Sequence, residues 1–479
     1  LWYNGGMLTT KERESRRQMQ ITCIDDLVPA EHLLRRIEAV MDFSFVRDEV
    51  KELYSEDKGR PSVDPVILIK LCVVNYLYGY NSMRRTIREC EVNLAYRWFL
   101  GYGLTEQVPH FSTFVKNYKR RFEGTDIFEK IFIRVLGTAI DHGFVDKATV
   151  YIDGTHIKAN ANTHKNYKKQ VEKEARAYDK LLREEINSDR EEHGKKPFDD
   201  DDGTSSPEQK TITVSKSDPE SGLFHKGEHK KCFAYNAQTA CDKHGWLLAA
   251  TVDAGNKHDS SVFEDIYNKV KTTVGKPDAV VADAGYKTPY IAKLLLDDYT
   301  DPYMPYKRPM TKKGFFYKNE YVYDEYYDCY LCPNNQALRY TTTNREGYRE
   351  YKSNPEICKS CPHLENCTLS ANHTKVVTEH IWHRYLDIVE DNRHTQKGYE
   401  IYSRRKETIE RVFADGKEKH GLRYARHNGL AKVRTQILLT FTVMNLKKLV
   451  KMLTAIPSYL RAIFQIFLKP KHFFAIVNI

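Results

Sequence analysis

The spacing of apolar residues changes once along this chain, near residue 148, and that change constrains the fold more than any single motif. From about Ile21 to Gly143 apolar residues recur three and four apart, as in Leu33, Leu34, Ile37, Val40 and Met41. The pattern returns in Val66, Ile67, Leu68, Leu71 and Val74, again the spacing of one helical face. Asp64 then Pro65 reads as an N-cap and first helical residue after the turn Gly59-Arg60-Pro61-Ser62. An all-α domain over 1–145 is expected. Within it, Arg84 and Arg85 start one helix, and Lys119 and Arg120 lie in the basic helix Lys116–Arg121 behind His110-Phe111-Ser112-Thr113-Phe114. Such positions suit a DNA-binding surface, and a helical core with solvated ends accounts for them equally.

From Ala148 the pattern becomes that of strands, over 149–153, 232–242, 246–254, 279–283 and 303–307, with a helix over 259–273. Three strands, a helix, a fourth strand and a late helix bearing a carboxylate give the element order of a ribonuclease-H-like α/β domain, placed at 146–450. Two stretches interrupt it. The first, 171–227, holds a charged helix over 172–190, then Asp199-Asp200-Asp201-Asp202-Gly203-Thr204-Ser205-Ser206, whose low apolar content predicts a flexible, disordered loop. Its four aspartates read as a solvated acidic run rather than a metal site. The second, 326–371, is Cys-rich, and 451–479 is left as a C-terminal tail.

Three carboxylates stand at element edges. Val150-Tyr151-Ile152-Asp153-Gly154-Thr155 and Val280-Val281-Ala282-Asp283-Ala284-Gly285-Tyr286 each place an aspartate where an apolar run stops at a small residue. Glu407-Thr408-Ile409-Glu410-Arg411-Val412-Phe413 places Glu410 beside a stripe of Ile409, Val412, Phe413 and Gly416. Mg²⁺ takes hard oxygen ligands, and a pair of such ions suits phosphoryl transfer, so Asp153, Asp283 and Glu410 form a candidate metal cage. Lys406 and Lys417, four before and seven after Glu410, share roughly its helical face and would hold strand phosphates. An ordinary salt-bridged surface helix has the same pattern.

Five of the ten cysteines crowd into one segment. Cys329-x₂-Cys332 and Cys358-x₂-Cys361, with Cys367 close behind, have the spacing of a tetrahedral zinc site, with five thiols for four positions. A disulfide pair is the alternative, disfavoured in a reducing compartment. Cys23, Cys72, Cys90, Cys232 and Cys241 read as small buried hydrophobes.

At 479 residues the chain exceeds one ordinary core. Its net charge of +10 is concentrated late: residues 404–451 carry thirteen Lys/Arg against four Asp/Glu. That clustering favours a polyanionic partner, and a solvated basic helix face is the bland alternative. Leu1 to Gly6 is neutral and followed by charge rather than by an apolar stretch, and Met7 could be the initiator. The apolar tail from Ile456 is broken by Pro457, Arg461, Lys469, Pro470 and Lys471, so no membrane span is expected. A cytoplasmic, nucleoid-associated protein is the expectation.

Taken together, these segments resemble the DDE transposases of bacterial insertion sequences, the group with an N-terminal helical domain and a cysteine-bearing insertion before the glutamate. The resemblance runs from about Leu27 to Leu449. It rests on Asp42-Phe43-Ser44-Phe45-Val46, Gly59-Arg60-Pro61-Ser62-Val63-Asp64-Pro65, Asn93-Leu94-Ala95-Tyr96-Arg97-Trp98-Phe99-Leu100-Gly101, and Pro109 with Ser112-Thr113-Phe114. It rests also on Asp153-Gly154-Thr155, Asn256-Lys257-His258-Asp259-Ser260, Ala282-Asp283-Ala284-Gly285-Tyr286, and Glu410-Arg411-Val412-Phe413 leading to Lys417. The resemblance implies that Asp153, Asp283 and Glu410 bind two Mg²⁺ ions. It implies hydrolysis at the element's inverted-repeat ends, joining of the freed 3′-OH to double-stranded target DNA, and a homodimer that pairs the two ends. It implies zinc on Cys332, Cys358, Cys361 and Cys367, with Cys329 an extra. The related motif places a tyrosine and an arginine ahead of the glutamate; here Lys406 stands at the arginine position and Tyr402 is one residue out of register. Glu407 is a decoy for Glu410. The competing readings are a transposase-derived DNA-binding protein without catalysis and a ribonuclease-H-like nuclease that cuts without joining.

Overall fold

A computed structural model describes residues 19–55, 62–172, 178–198, 209–226, 230–308 and 311–455. Gly59, Arg60 and Pro61 of the expected turn, the acidic run Asp199–Asp202, the chain start and the tail from 456 lie outside the described residues. The chain divides into two compact units, one ending at Ile127 and taking in residues from Leu446, the other spanning Phe128–Asn445.

The described part of the first unit is helical, as its apolar spacing predicts. Helix Pro65–Leu77 is apolar on nearly every side and buried on nearly every side. Asp64 caps it by accepting from the Val66 amide at 2.9 Å, with Pro65 at the first turn. Lys70 reaches Glu38 at 2.6 Å, and the Asn75 amide donates to Thr86 Oγ1 at 2.7 Å, so polar groups facing the core have partners. The expected basic helix Lys116–Arg121 is not one helix. Helix Phe111–Asn117 gives way to a widened π-type turn, Tyr118–Phe122, beside which Asn117 donates to the Thr113 carbonyl and accepts from Arg121.

In the second unit the strands are β1 (Thr149–Lys158), β2 (Asn166–Glu172), β3 (Gln209–Ser215), β4 (Gly222–Lys226), β5 (Lys230–Asp242), β6 (Leu247–Ala254), β7 (Ala279–Val281) and β8 (Asp301–Tyr303). They form one sheet in the order β2-β3-β4-β5-β1-β7-β8, with β6 also on β5. β1, β5 and β6 are antiparallel, whereas β7 and β8 run parallel to β1. The core order β6-β5-β1-β7-β8, with helix Phe263–Val274 between β6 and β7, is ribonuclease-H-like. The expected helix over 259–273 starts later because Asp259–Ser261 forms a tight turn instead.

The stretch 171–227, expected to hold a disordered loop, folds in its described parts. Glu172 closes β2, the charged helix spans Asp179–Glu192, and residues 209–226 contribute β3 and β4. These strands are stabilised by pairing: β4 pairs with the first residues of β5, continuing the edge that β6 occupies further along. The helix is pinned through Asp189, which takes Arg349 at 2.5 Å and the Thr343 hydroxyl.

The Cys-rich stretch belongs to a second, antiparallel sheet, β9 (Val322–Asp324), β10 (Cys329–Leu331), β11 (Ala337–Thr343), β12 (Tyr348–Lys352) and β13 (Val376–His380). Tyr321, Tyr330, Leu338, Tyr351 and Val377 form its core. After it, helices His383–His394 and Gln396–Ser403, a short turn Arg404–Lys406 and helix Ile409–Lys419 lead to the long final helix Leu430–Ala455.

Candidate active site

The parallel register of β1 and β7 pairs Val150 with Val280 and Tyr151 with Val281. Side chains two residues apart share a face of a strand. Asp153 and Asp283, each two residues beyond the Tyr151/Val281 pair, therefore emerge next to each other on one face. Asp153 is not at the end of its strand as expected: β1 continues to Lys158, held by β5, and only its pairing to β7 stops short.

The same face carries the row Cys241, Tyr151, Val281 and Tyr303, paired in register across β5, β1, β7 and β8. Helix Ile409–Lys419 lays Ile409 and Phe413 on that row, and the Tyr151 hydroxyl donates to the Ile401 carbonyl at 3.0 Å. The apolar stripe expected for this helix is the buried one. It delivers Glu410 to the aspartates with its side chain half-exposed.

Arg405 joins these groups. Its Nη2 lies 2.5 Å from Asp153 Oδ2 and its Nη1 lies 3.5 Å from Glu410 Oε1. Burial pushes the Asp153 carboxyl up to about 6, with Asp283 and Asp259 adding to the shift and Arg405 and the Gly154 amide opposing it. Asp283 Oδ1 accepts from the Gly285 amide at 2.7 Å. Burial likewise raises the Tyr402 phenol, beside Arg405 and Asp283. Lys406, assigned to the arginine position, is exposed on the turn before the helix and shares no helical face with Glu410. The reason is local: Thr408, at φ −104° and ψ −96°, breaks the helix, so spacing counted along one continuous helix is off by a residue. Arg405, three after Tyr402, is the residue that sequence reasoning missed, and that i, i+3 spacing was the signal for it.

Next to this cluster is a polar layer that the sequence did not reveal. Asn236 Nδ2 and Gln238 Nε2 donate to Asp259 Oδ1 at 2.8 and 2.7 Å, and the buried Tyr286 hydroxyl donates to Gln238 Oε1. Gly154 lies against it; a Cβ there would sit 2.7 Å from both Asp259 Oδ1 and Gln238 Nε2. Asn236 and Gln238 share one face of β5 and are fully buried, and their partners are distant in sequence.

Among the described residues, no three His, Cys, Asp or Glu side chains converge closely enough to chelate an ion. The donor chemistry nonetheless fits a hard cation: three carboxylates surround one guanidinium, whose positive charge marks where a cation is stabilised. In the Cys-rich stretch all five cysteines are free thiols. Burial pushes the Cys367 thiol up, with Cys358 and Cys332 adding to the shift, so these three share one locality; Cys361 accepts from Asn334 at 3.7 Å. Cys329 is buried within β10, with Asp324, Arg339 and Asp328 as its charged neighbours.

The other expected basic residues are placed as follows. Lys417 is on the glutamate helix, its ammonium 5.9 Å from the centre of the Phe413 ring. In the helical unit, Arg84 stacks over Phe111 at 4.2 Å and Arg85 lies over Tyr80 at 5.4 Å, while Lys119 and Arg120 are exposed on the π-type turn. No helix of the described residues is long and apolar enough to cross a membrane.

Residues 331–450 match the family model described as a transposase DDE domain. Residues 22–120 match the model described as a transposase domain, DUF772. No curated protein matches the chain.

Proposed function

We propose that this chain, two segments of which match transposase family models, is a DDE transposase of an insertion sequence that binds the inverted-repeat ends of its element and cleaves and transfers DNA strands there. The observation that carries this reading is the parallel β1/β7 register, which sets Asp153 beside Asp283 under the helix that bears Glu410. In this reading the three carboxylates hold divalent ions. Such ions activate the attacking oxygen and stabilise the leaving one in phosphoryl transfer.

The chain's own residues do the rest. Burial of Asp153 and the amide bonds to Asp153 and Asp283 fix the carboxylates before DNA arrives. Arg405 and Lys417 orient strand phosphates beside the carboxylates that would hold the ions. Residues 1–145 and the basic stretch 404–451 bind the element ends, 146–450 acts as the catalytic domain, and two copies pair the ends. Cys332, Cys358, Cys361 and Cys367 hold zinc that braces the second sheet.

The deciding experiment incubates purified protein with Mg²⁺ or Mn²⁺ and DNA carrying the repeats that flank its gene. Nicking and joined products are expected from the wild type, with Asp283→Ala binding the same DNA without nicking it. Unchanged nicking in that variant overturns the carboxylate assignment, and nicks without joined product favour a plain nuclease. For zinc, metal analysis of reductively purified protein is decisive, and its absence there removes the assignment.

A further inference from the structure

The strands β2 and β3, on either side of the charged helix Asp179–Glu192, form a two-stranded ribbon with its own chemistry. β2 is the outermost strand of the large sheet and pairs antiparallel with β3 over Asn166–Glu172 and Gln209–Ser215. Asn166, Tyr167, Lys168, Lys169 and Gln170 are all exposed, on both faces of the strand. A strand solvated on both faces gains little from its own burial, so its side chains call for another explanation.

The register sorts those side chains. Lys168 stands opposite Thr213 and Gln170 opposite Thr211, so these four, with Asn166, share one face. That face carries no hydrocarbon side chain, whereas Tyr167, Ile212 and Val214 lie on the other with Lys169. Lys165 and Lys216 flank the ribbon, joined where the Lys216 amide donates to the Lys165 carbonyl at 3.0 Å. Across 163–172 and 209–217 the sequence holds one acidic residue, Glu172, which closes β2 opposite Gln209. Asn166 donates to the Thr163 carbonyl at 2.6 Å, which stiffens the approach to the strand.

We infer that the β2/β3 ribbon is a docking surface for double-stranded DNA, its polar face turned into the major groove. Three features agree on that partner. Five lysines, Lys165, Lys168, Lys169, Lys210 and Lys216, outnumber the one acidic residue of the ribbon, Glu172, which suits a phosphate backbone. A two-stranded ribbon fits the width of the major groove. Lys, Gln, Asn and Thr are side chains that hydrogen-bond base edges there. The ribbon is also firmly seated: Val214 pairs with Gly222, and Gly222 abuts Asn256, three residues before the Asp259 that neighbours Asp153. DNA held by the ribbon is thereby referred to the carboxylates.

The inference rests on the DNA-binding reading above. Lysines on an edge strand also discourage sheet-to-sheet aggregation, and that role explains the charge without any DNA. The test combines Lys165→Ala, Lys168→Ala and Lys216→Ala in the full chain, the lysines on the polar face and flanking it. Fluorescence anisotropy measures its binding to a duplex carrying the terminal repeat and to one strand of it, across a salt series. We expect duplex affinity to fall roughly tenfold or more, and the slope of log K against log salt to shrink by about two to three, near 0.9 per lost phosphate contact. Lys168→Ala alone should remove about one such contact, in case the triple variant melts early. Wild-type affinity and slope in the variants, whether or not they self-associate, overturn the inference. Equal losses on duplex and single strand overturn the groove. Failure of the wild type to bind the duplex at all overturns the underlying DNA reading instead.

Discussion

One guanidinium stands among three acidic side chains that would otherwise repel one another. Arg405 bridges Asp153 and Glu410, and its positive charge is stabilised by Asp153, Asp283 and Glu410. Removing it leaves the carboxylates uncompensated, so Arg405→Ala is expected to cost about 2 kcal/mol in the absence of metal. Millimolar Mg²⁺ should recover more stability in the variant than it adds to the wild type; parallel melts with and without the ion check this. A second ion pair anchors the Asp283 loop, where Lys287 lies 2.5 Å from Glu390 on helix His383–His394. Although burial pushes the Glu390 carboxyl up, hydrogen bonds from Arg393 and Lys287 hold it at about 2. Its folded value lies below its unfolded one, so the contribution is complete at neutral pH and fades as pH falls from about 4.5 towards 2. Glu390→Gln is expected to cost about 1–2 kcal/mol at pH 7, after allowance for partial exposure, and almost nothing near pH 2, as read from urea melts. Asp153 and Asp283 stand out in the sequence because each follows an apolar run that stops at a small residue, and Glu410 because it borders an apolar helical stripe. Arg405 is passed over when spacing is counted back from Glu410 through the break at Thr408, and only its i, i+3 spacing from Tyr402 marks it.

At the scale of elements, the strands that form the site were readable from alternation and length, and the edge strands were not. β1, β5, β6 and β7 are apolar enough to declare themselves, whereas β2 and β3 look like linker because they bury little. The polar layer under β1 was equally silent, since a hydrogen bond between β5 and the turn at Asp259 exists only once the sheet is assembled. Gly154 gives that layer a measurable consequence. Its replacement by alanine would drive a methyl group into Asp259 and Gln238, with an expected loss of about 1–3 kcal/mol. Serine should be no better tolerated. Equal thermal melts for Gly154→Ala and wild type would mean that this contact is looser than it stands here.

For the whole molecule, the switch of apolar period near residue 148 foretold a helical part followed by a sheet, but not how the end of the chain returns to that sheet. Asn445 of the final helix accepts from the Leu247 amide at 3.0 Å and donates to the Leu247 carbonyl at 2.8 Å, with its side chain buried. Asn445→Leu would leave both backbone groups of Leu247 without a partner, an expected cost of about 2–4 kcal/mol. Hydrogen exchange at β6 is the direct measurement, and unchanged protection of Leu247 would refute the clamp. The β1/β7 register has a consequence for sequence length. Asp153 and Asp283 meet because two neighbouring strands are aligned, so the number of residues between them does not set the gap between their carboxylates. Whole segments can be gained or lost in that interval with the pair intact, but a slip of one residue in either strand sends its aspartate to the opposite face. The length of chain between the two aspartates is therefore free, and the alignment of two short strands is not.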